Sequence, residues 1–269
     1  MYFFESEVMK LLATIPHSGE EIPDMTPWLK NLPEEVLMCD VDRYVDRLYL
    51  DHLNRLGVSV VKTQWHRFAV DLNRIPEDVD CESVQGSLVP AGKNSRGYHW
   101  VMTTLKTRLM NQPMSLETHQ KLTELIYNPF HHEVKKCAHE IRQNQSVVYH
   151  LDLHSMPSLG TSEHRDPGER RADIVVSDCH GKSSSTKFLD LVLLSYIKAG
   201  FKIAYNWPYY GGRVSEVYGR PNENHHTIQV ELNRALYMNE TTKQLIPDLA
   251  AKTSEKLGTA LDLIIKSID

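Results

Sequence analysis

The stretch SVVYHLDLHS, residues 146–155, decides the fold. Its run SVVYHLDL reads as a β-strand, and the residues that close it, Asp152, His154 and Ser155, are polar and of a type that does chemistry. Similar short β-type runs recur at VMKLLATI (8–15), VSVVK (58–62), RFAVDL (67–72), ADIVVSD (172–178), FKIAY (201–205) and TIQVEL (227–232). Longer helical patterns separate them. Residues 41–57 carry Val41, Tyr44, Val45, Leu48 and Leu56 at helical spacing and stop at Gly57; further helices are expected at 98–110, 115–143 with an interruption near Pro129, 184–199 and 242–266. Strands that alternate with helices predict one α/β domain over residues 1–269, with a mostly parallel or mixed sheet covered by helices on both faces.

Composition narrows the classes. A hydrophobic share of 41%, a charged share of 24% and a net charge of -5 are those of an ordinary globular protein, with nothing that favours nucleic acid or an anionic membrane surface. No apolar run reaches membrane-spanning length, and MYFFESEVMK has neither the basic start nor the apolar stretch of a signal peptide, so a cytoplasmic location is expected. Cys39, Cys81, Cys137 and Cys179 lack paired spacing and read as reduced and structural.

Open α/β sheets bind ligands outside the carboxyl ends of their strands. Four expected strand ends, TIPHSGEE, AVDLNR, HLDLHS and QVELNR, finish in polar residues. His17 and His154 are candidate zinc ligands, because a neutral imidazole at a strand end is a natural donor. A catalytic zinc wants about three protein ligands, and the acidic third is open: Glu20 stands in a His-x-x-Glu spacing with His17, while Asp42 and Asp46 lie near the start of the following helix. There they would also favour the helix dipole without any metal. Asp152 falls on the same strand face as His154 and is suited to orient it. Glu231, between Val230 and Leu232, is a carboxylate in a strand that reads as buried, which fits a general base for a bound water, or an ion pair with a neighbouring arginine. Asn73 and Arg74 suit a substrate carboxylate. Asp71 and Arg234 could pin loops by salt bridges.

The segment 206–226 is Gly-rich and aromatic and predicts a cover for the site, with Gly211 and Gly212 giving mobility, Arg213 or Arg220 an anion contact and His226 a donor. HHEVKKCAHE (131–140) lacks the second histidine of a helical zinc motif, since Lys136 stands where it would be. RDPGERR (165–171) reads as a flexible, exposed loop.

The ordered set PHSG, DRYVDRLY, VDLNR, DLHSMPS, RADIVVSD, PYYGGRVSEVYGRP and IQVELNRALYM resembles the N-formylglutamate amidohydrolase family over about residues 14–240. The resemblance implies kinship with zinc carboxypeptidases and the aspartoacylase and succinylglutamate desuccinylase group, and a phosphorylase/hydrolase-like three-layer α/β/α sandwich. It also implies one divalent metal ion, Zn2+, held by His17 and His154, with Glu231 catalytic and Asn73 and Arg74 on the substrate's α-carboxylate. Between acidic ligands, the carboxypeptidase-like pattern points to Glu20 and the amidohydrolase pattern to Asp46, and Asp46 is the expectation taken forward. The implied activity is metal-dependent hydrolysis of N-formyl-L-glutamate to formate and L-glutamate, a step of histidine breakdown, with Arg213 on the side-chain carboxylate. The expected partner is a small N-acyl amino acid, and the expected assembly a monomer or small homo-oligomer. The alternatives are a zinc deacylase or carboxypeptidase for another N-acyl amino acid, and a non-catalytic protein that holds a dicarboxylate.

Overall fold

The structure is a computed structural model that describes residues 9–268. The first residue of the expected 8–15 strand, Val8, lies outside the described residues, as does most of the MYFFESEVMK stretch. Six strands among the described residues form one sheet: β1 (Leu11–Ile15), β2 (Ser59–Lys62), β3 (Val148–Met156), β4 (Ile174–Ser177), β5 (Ile203–Tyr205) and β6 (His225–Asn233), in the order β2-β1-β3-β6-β4-β5. The first four in that order run parallel; β4 is antiparallel to β6, and β5 parallel to β4. The mixed sheet expected from the sequence is therefore present.

The helices are α1 (Glu34–Leu37), α2 (Val45–Arg55), α3 (Leu116–Leu122), α4 (Asn128–Asn144), α5 (Thr186–Lys198), α6 (Arg213–Tyr218) and α7 (Pro247–Ile268). Ser115 and Ser185 start α3 and α5 by accepting hydrogen bonds from the backbone N–H groups of Thr118 and Phe188. A π-turn at Thr123–Tyr127 joins α3 to α4 just before Pro129, which has no N–H to continue a regular ladder. No helix of the described residues is long and apolar enough to cross a membrane.

Strand alternation sorts the side chains into layers. Leu11, Ala13 and Ile15 of β1, Leu151 and Leu153 of β3, and Ile228, Val230 and Leu232 of β6 meet α2, α5 and α7 in the larger apolar core. On the other face, Leu12 and Val148 pack with Phe130, Val134 and Ile141 of α4 and with Val214 of α6. Helices thus cover both sides, giving the α/β/α sandwich.

Two elements differ from the expectation. RFAVDL (67–72) is a series of turns and not a strand; Ala69 N–H bonds to His66 O, Asp71 N–H to Tyr98 O, and Arg74 N–H to Asp71 O. Residues 98–110 form no helix. They run as a loop, buried at 98–101 and 109–110 and exposed at 105–108, with the isolated bridges Arg96↔Trp100 and Met102↔Arg108, and Lys106 takes a left-handed turn at φ 62°. A helix would set their apolar residues on one face, yet Tyr98 packs with the α4 core while Trp100 and Leu109 pack with Phe68 and Leu29.

Candidate metal centre and substrate cavity

Two residues after β1 ends, the carbonyl of His17 accepts a hydrogen bond from the backbone N–H of Asp42 (2.9 Å), and this contact brings the turn before α2 to the strand end. β3 delivers His154 beside Glu231 of β6, its directly paired neighbour in the sheet. His17, Asp42 and His154 are all buried, and one ligand-type atom from each lies within 4.8 Å of the others. Asp42 Oδ2 is 3.0 Å from His154 Nδ1 and 3.6 Å from His17 Nδ1.

The other side of each imidazole is also held by a carboxylate. His17 Nε2 meets Asp71 Oδ1 at 2.8 Å and His154 Nε2 meets Asp152 Oδ2 at 2.9 Å. An ionised carboxylate only accepts, so each Nε2 carries a proton; by the same rule His154 Nδ1 donates to Asp42 and would give up that proton to ligate a metal, whereas His17 Nδ1, at 3.6 Å, turns its lone pair toward Asp42. His17 Nδ1 is buried with no hydrogen-bond partner, which leaves that lone pair free to ligate. The remaining oxygen of Asp42 accepts from Arg234 Nη2 (3.1 Å) and Ser155 Oγ (3.3 Å). Asp71 is also paired with Arg67 (2.8 Å), whose guanidinium lies over the Trp100 ring.

The charge balance points the same way. Burial would raise the carboxyl groups of Asp42, Asp71 and Asp152, but the histidines, and for Asp71 also Arg67, outweigh it and hold all three below the usual range. For His154, burial opposes a positive charge and Asp152 and Asp42 overcome it, so its pKa stands well above that of a free imidazole. Three ionised aspartates and Glu231 thus face the protonated His154 and two guanidinium groups, those of Arg67 and Arg234. A metal ion here would replace the His154 Nδ1 proton, and two nitrogens with one carboxylate oxygen form a donor set of the kind zinc takes in catalytic sites. These residues could hold a metal ion.

Asp46, the acidic ligand expected from the sequence, is not in this group. Its carboxylate pairs with Lys62 (3.0 Å) and accepts from the backbone N–H of Arg47, one helical turn from Asp42 on the partly exposed side of α2. Glu20 also lies elsewhere, paired with Arg43 at 2.9 Å. Asp42 takes the position because it precedes α2, where the bond to the His17 carbonyl aims it inward.

Glu231 is buried and accepts from Gln229 Nε2 at 2.8 Å. Burial pushes its pKa up to about 7, His154 and Arg234 pull against this, and Asp42 adds to it. With Glu231, His17 and His154 at its base, a cavity of about 530 Å³ opens to a rim that includes Arg74, Arg165 and Arg213. Arg74 donates to the carbonyls of Asn73 and Arg96 and has no carboxylate partner among the described residues. Arg165 lies over the rings of Trp207 and Tyr210, and Arg213 is loosely paired with Glu216 at 3.4 Å. Asn73 lines the same cavity, with Nδ2 3.4 Å from His154 Nε2 and Oδ1 accepting from Val214 N–H at 2.7 Å.

Three readings of the surrounding loops need correction. A Cβ on Gly212 would fall 2.2 Å from Asn73 Nδ2, and one on Gly211 (φ 125°) 2.5 Å from Cys179 Sγ. What these glycines provide here is close packing of the loop against the site. His226 sits within β6 and accepts from Ser185 N–H, and Arg220 donates to the carbonyls of Glu216 in α6 and of Gly219; neither lines the cavity. The 165–171 segment is largely exposed as expected, except that Asp166 and Arg171 form an ion pair with each side chain 1% accessible. By contrast His131 bonds Tyr218 Oη and the Leu72 carbonyl, a core role that agrees with setting its helix aside as a metal motif.

Polar residues at the carboxyl ends of parallel strands, a buried general-base candidate and an arginine-rimmed cavity define a hydrolase of α/β/α fold. The chain belongs to the N-formylglutamate amidohydrolase family, whose model matches residues 9–238. It is similar to an N-formylglutamate deformylase of Pseudomonas putida, 26% identical over 97% of this chain and 94% of the relative, and to another of Pseudomonas aeruginosa, 26% identical over 88% and 85%. Among solved structures it resembles an N-formylglutamate amidohydrolase from Ralstonia eutropha JMP134, with a TM-score of 0.83 and 26% identity over 97% of this chain and 94% of that one.

Proposed function

We propose that this chain, acting as one hydrolase domain, cleaves the amide bond of N-formyl-L-glutamate to give formate and L-glutamate. The observation that carries the reading is the placement of Glu231, buried and poised near neutral pH, beside the His17–Asp42–His154 group at the base of an arginine-rimmed cavity. Those three residues would hold zinc, which when bound polarises an amide carbonyl and acidifies water. Asp71 and Asp152 keep the two imidazoles in the ligating tautomer.

Glu231 takes the proton of the attacking water and returns it to the amide nitrogen as the C–N bond breaks; a carboxyl with pKa near 7 serves both directions. Arg74, with Asn73 beside it, binds the α-carboxylate, and Arg213 the side-chain carboxylate. A site with two such cations discriminates against substrates that lack either carboxylate, because an unmatched guanidinium would remain. The names of the similar deformylases support the substrate.

The test is formate release from N-formyl-L-glutamate by protein stripped with chelator and then reloaded with zinc. Release that returns only on reloading is the expected outcome. If a formyl, acetyl and succinyl amino acid panel instead shows another acyl group to be preferred, the substrate assignment falls while the hydrolytic site stands.

A further inference from the structure

The buried Asp166–Arg171 pair is not among the candidate ligands, and the reaction above gives it no role. Arg171 is bidentate to Asp166, with Nε and Nη2 each 2.8 Å from a carboxylate oxygen. Its remaining nitrogen, Nη1, donates to the Pro157 carbonyl (3.2 Å) and to Tyr209 Oη (3.0 Å). Ion pairs this buried are expensive to build and are seldom optimal for stability alone, so what this one holds is informative.

It holds Tyr209. The guanidinium also lies 5.1 Å from the Tyr209 ring centroid, His164 packs edge-on against the same ring, and Ser177 Oγ donates to the Tyr209 backbone carbonyl at 2.8 Å. Tyr209 lines the cavity that contains His154 and Glu231. Because a guanidinium can only donate, the phenol oxygen must accept from Arg171, and its own proton points to another acceptor. No acceptor for that proton stands among the described residues. Burial, and after it the neighbouring Glu231, raises the phenol's pKa, so the proton stays in place at neutral pH. Accepting from a cation also polarises the O–H and makes it a stronger donor.

Building on the hydrolysis proposed above, we infer that Tyr209 donates a hydrogen bond to the formyl oxygen as that oxygen gains negative charge, and that Arg171 is the positioning residue that aims it. The neutral phenol suits a developing charge, whereas the arginines of the rim suit carboxylates already charged in the free substrate.

Tyr209→Phe keeps the ring and removes only the donor. Steady-state kinetics on N-formyl-L-glutamate should show kcat lowered about 10²–10³-fold, with KM and the calorimetric affinity for L-glutamate changed by less than about threefold. An unchanged kcat overturns the inference, and so does a loss confined to KM, which would make Tyr209 a carboxylate contact. Arg171→Lys should lower kcat in the wild-type background and add nothing in the Tyr209→Phe background. Equal losses in both backgrounds would remove Arg171 from its role. Should Arg171→Lys fail to fold by thermal unfolding, Tyr209→Phe alone decides. If the wild type cleaves an acetyl or succinyl amide instead, the deformylase reading fails and the same comparison on that substrate still judges Tyr209; if it cleaves none, both readings fall.

Discussion

The two faces of strands β3 and β6 are buried alike and built from opposite materials. One carries Leu151, Leu153, Ile228, Val230 and Leu232 against the helices α2, α5 and α7. The other carries His150, Asp152 and His154 beside Thr227, Gln229 and Glu231, register for register. Burying polar groups costs free energy unless they are bonded. Thr14 bonds both His150 and Asp152, and Gln229 bonds Glu231, which offsets part of that cost. The apolar face stabilises the fold, and the polar face holds the residues proposed for chemistry. One sheet divides the two tasks between its sides.

Substitutions should separate them. The largest effect is expected for Glu231→Gln: turnover lowered by about 10²–10⁴-fold. Stability should hold or rise at pH 8, because folding raises this carboxyl's pKa and therefore disfavours its ionised form. Urea unfolding alongside the assay checks both, and a variant that is unstable but active per folded molecule would contradict the division. Leu153→Ala, on the opposite face of the same sheet, should cost about 2–5 kcal/mol of stability, with turnover of the folded fraction little changed.

Acid should attack the polar side first. Burial lowers the pKa of His131 and His150 to about 4 and of His225 to about 2, so the folded protein holds these rings neutral. An unfolded chain takes up protons near pH 6.5, so stability is fully present above that value and falls as the pH drops toward 4. The slope is about 1.4 kcal/mol per pH unit for each ring. Unfolding midpoints measured from pH 7 to 4 test it; a flat profile would mean these rings are already protonated in the fold.

The smallest effect distinguishes two neighbours on one helix start. Asp46→Asn removes only a partly exposed pair with Lys62 and should change stability by less than about 1 kcal/mol, leaving zinc affinity as it was. Asp42→Asn should weaken zinc binding by at least about tenfold. Competition with a chromophoric chelator reads the affinities, and the reverse order would restore Asp46 as the ligand.

Much of this was legible in the chain. The alternation in SVVYHLDLHS and TIQVEL marked β3 and β6 and set Asp152 beside His154, and a carboxylate between Val230 and Leu232 stood out because isolated burial is costly. What misled were the segments without regular structure. RFAVDL has strand composition, yet its backbone bonds go to Tyr98 and its own turns, and its Arg67 carries no sequence pattern that marks it as a site residue. In the charge-rich 165–171 stretch Arg171 and Asp166 find each other, a pairing that composition cannot distinguish from solvated charge.

By itself the sequence marked the stretches that become β1 to β6, the layered α/β class and the strand-end histidines, because periodicity and strand termini are local properties of the chain. Which acid joins those histidines was decided only in three dimensions. Asp42 and Asp46 are one helical turn apart and chemically identical, and a single backbone hydrogen bond to the His17 carbonyl turns the first into the buried centre while the second is left with Lys62 at the surface. The same holds for Arg234 and Tyr209, whose partners Asp42 and Arg171 lie on segments that meet only when the sheet has formed.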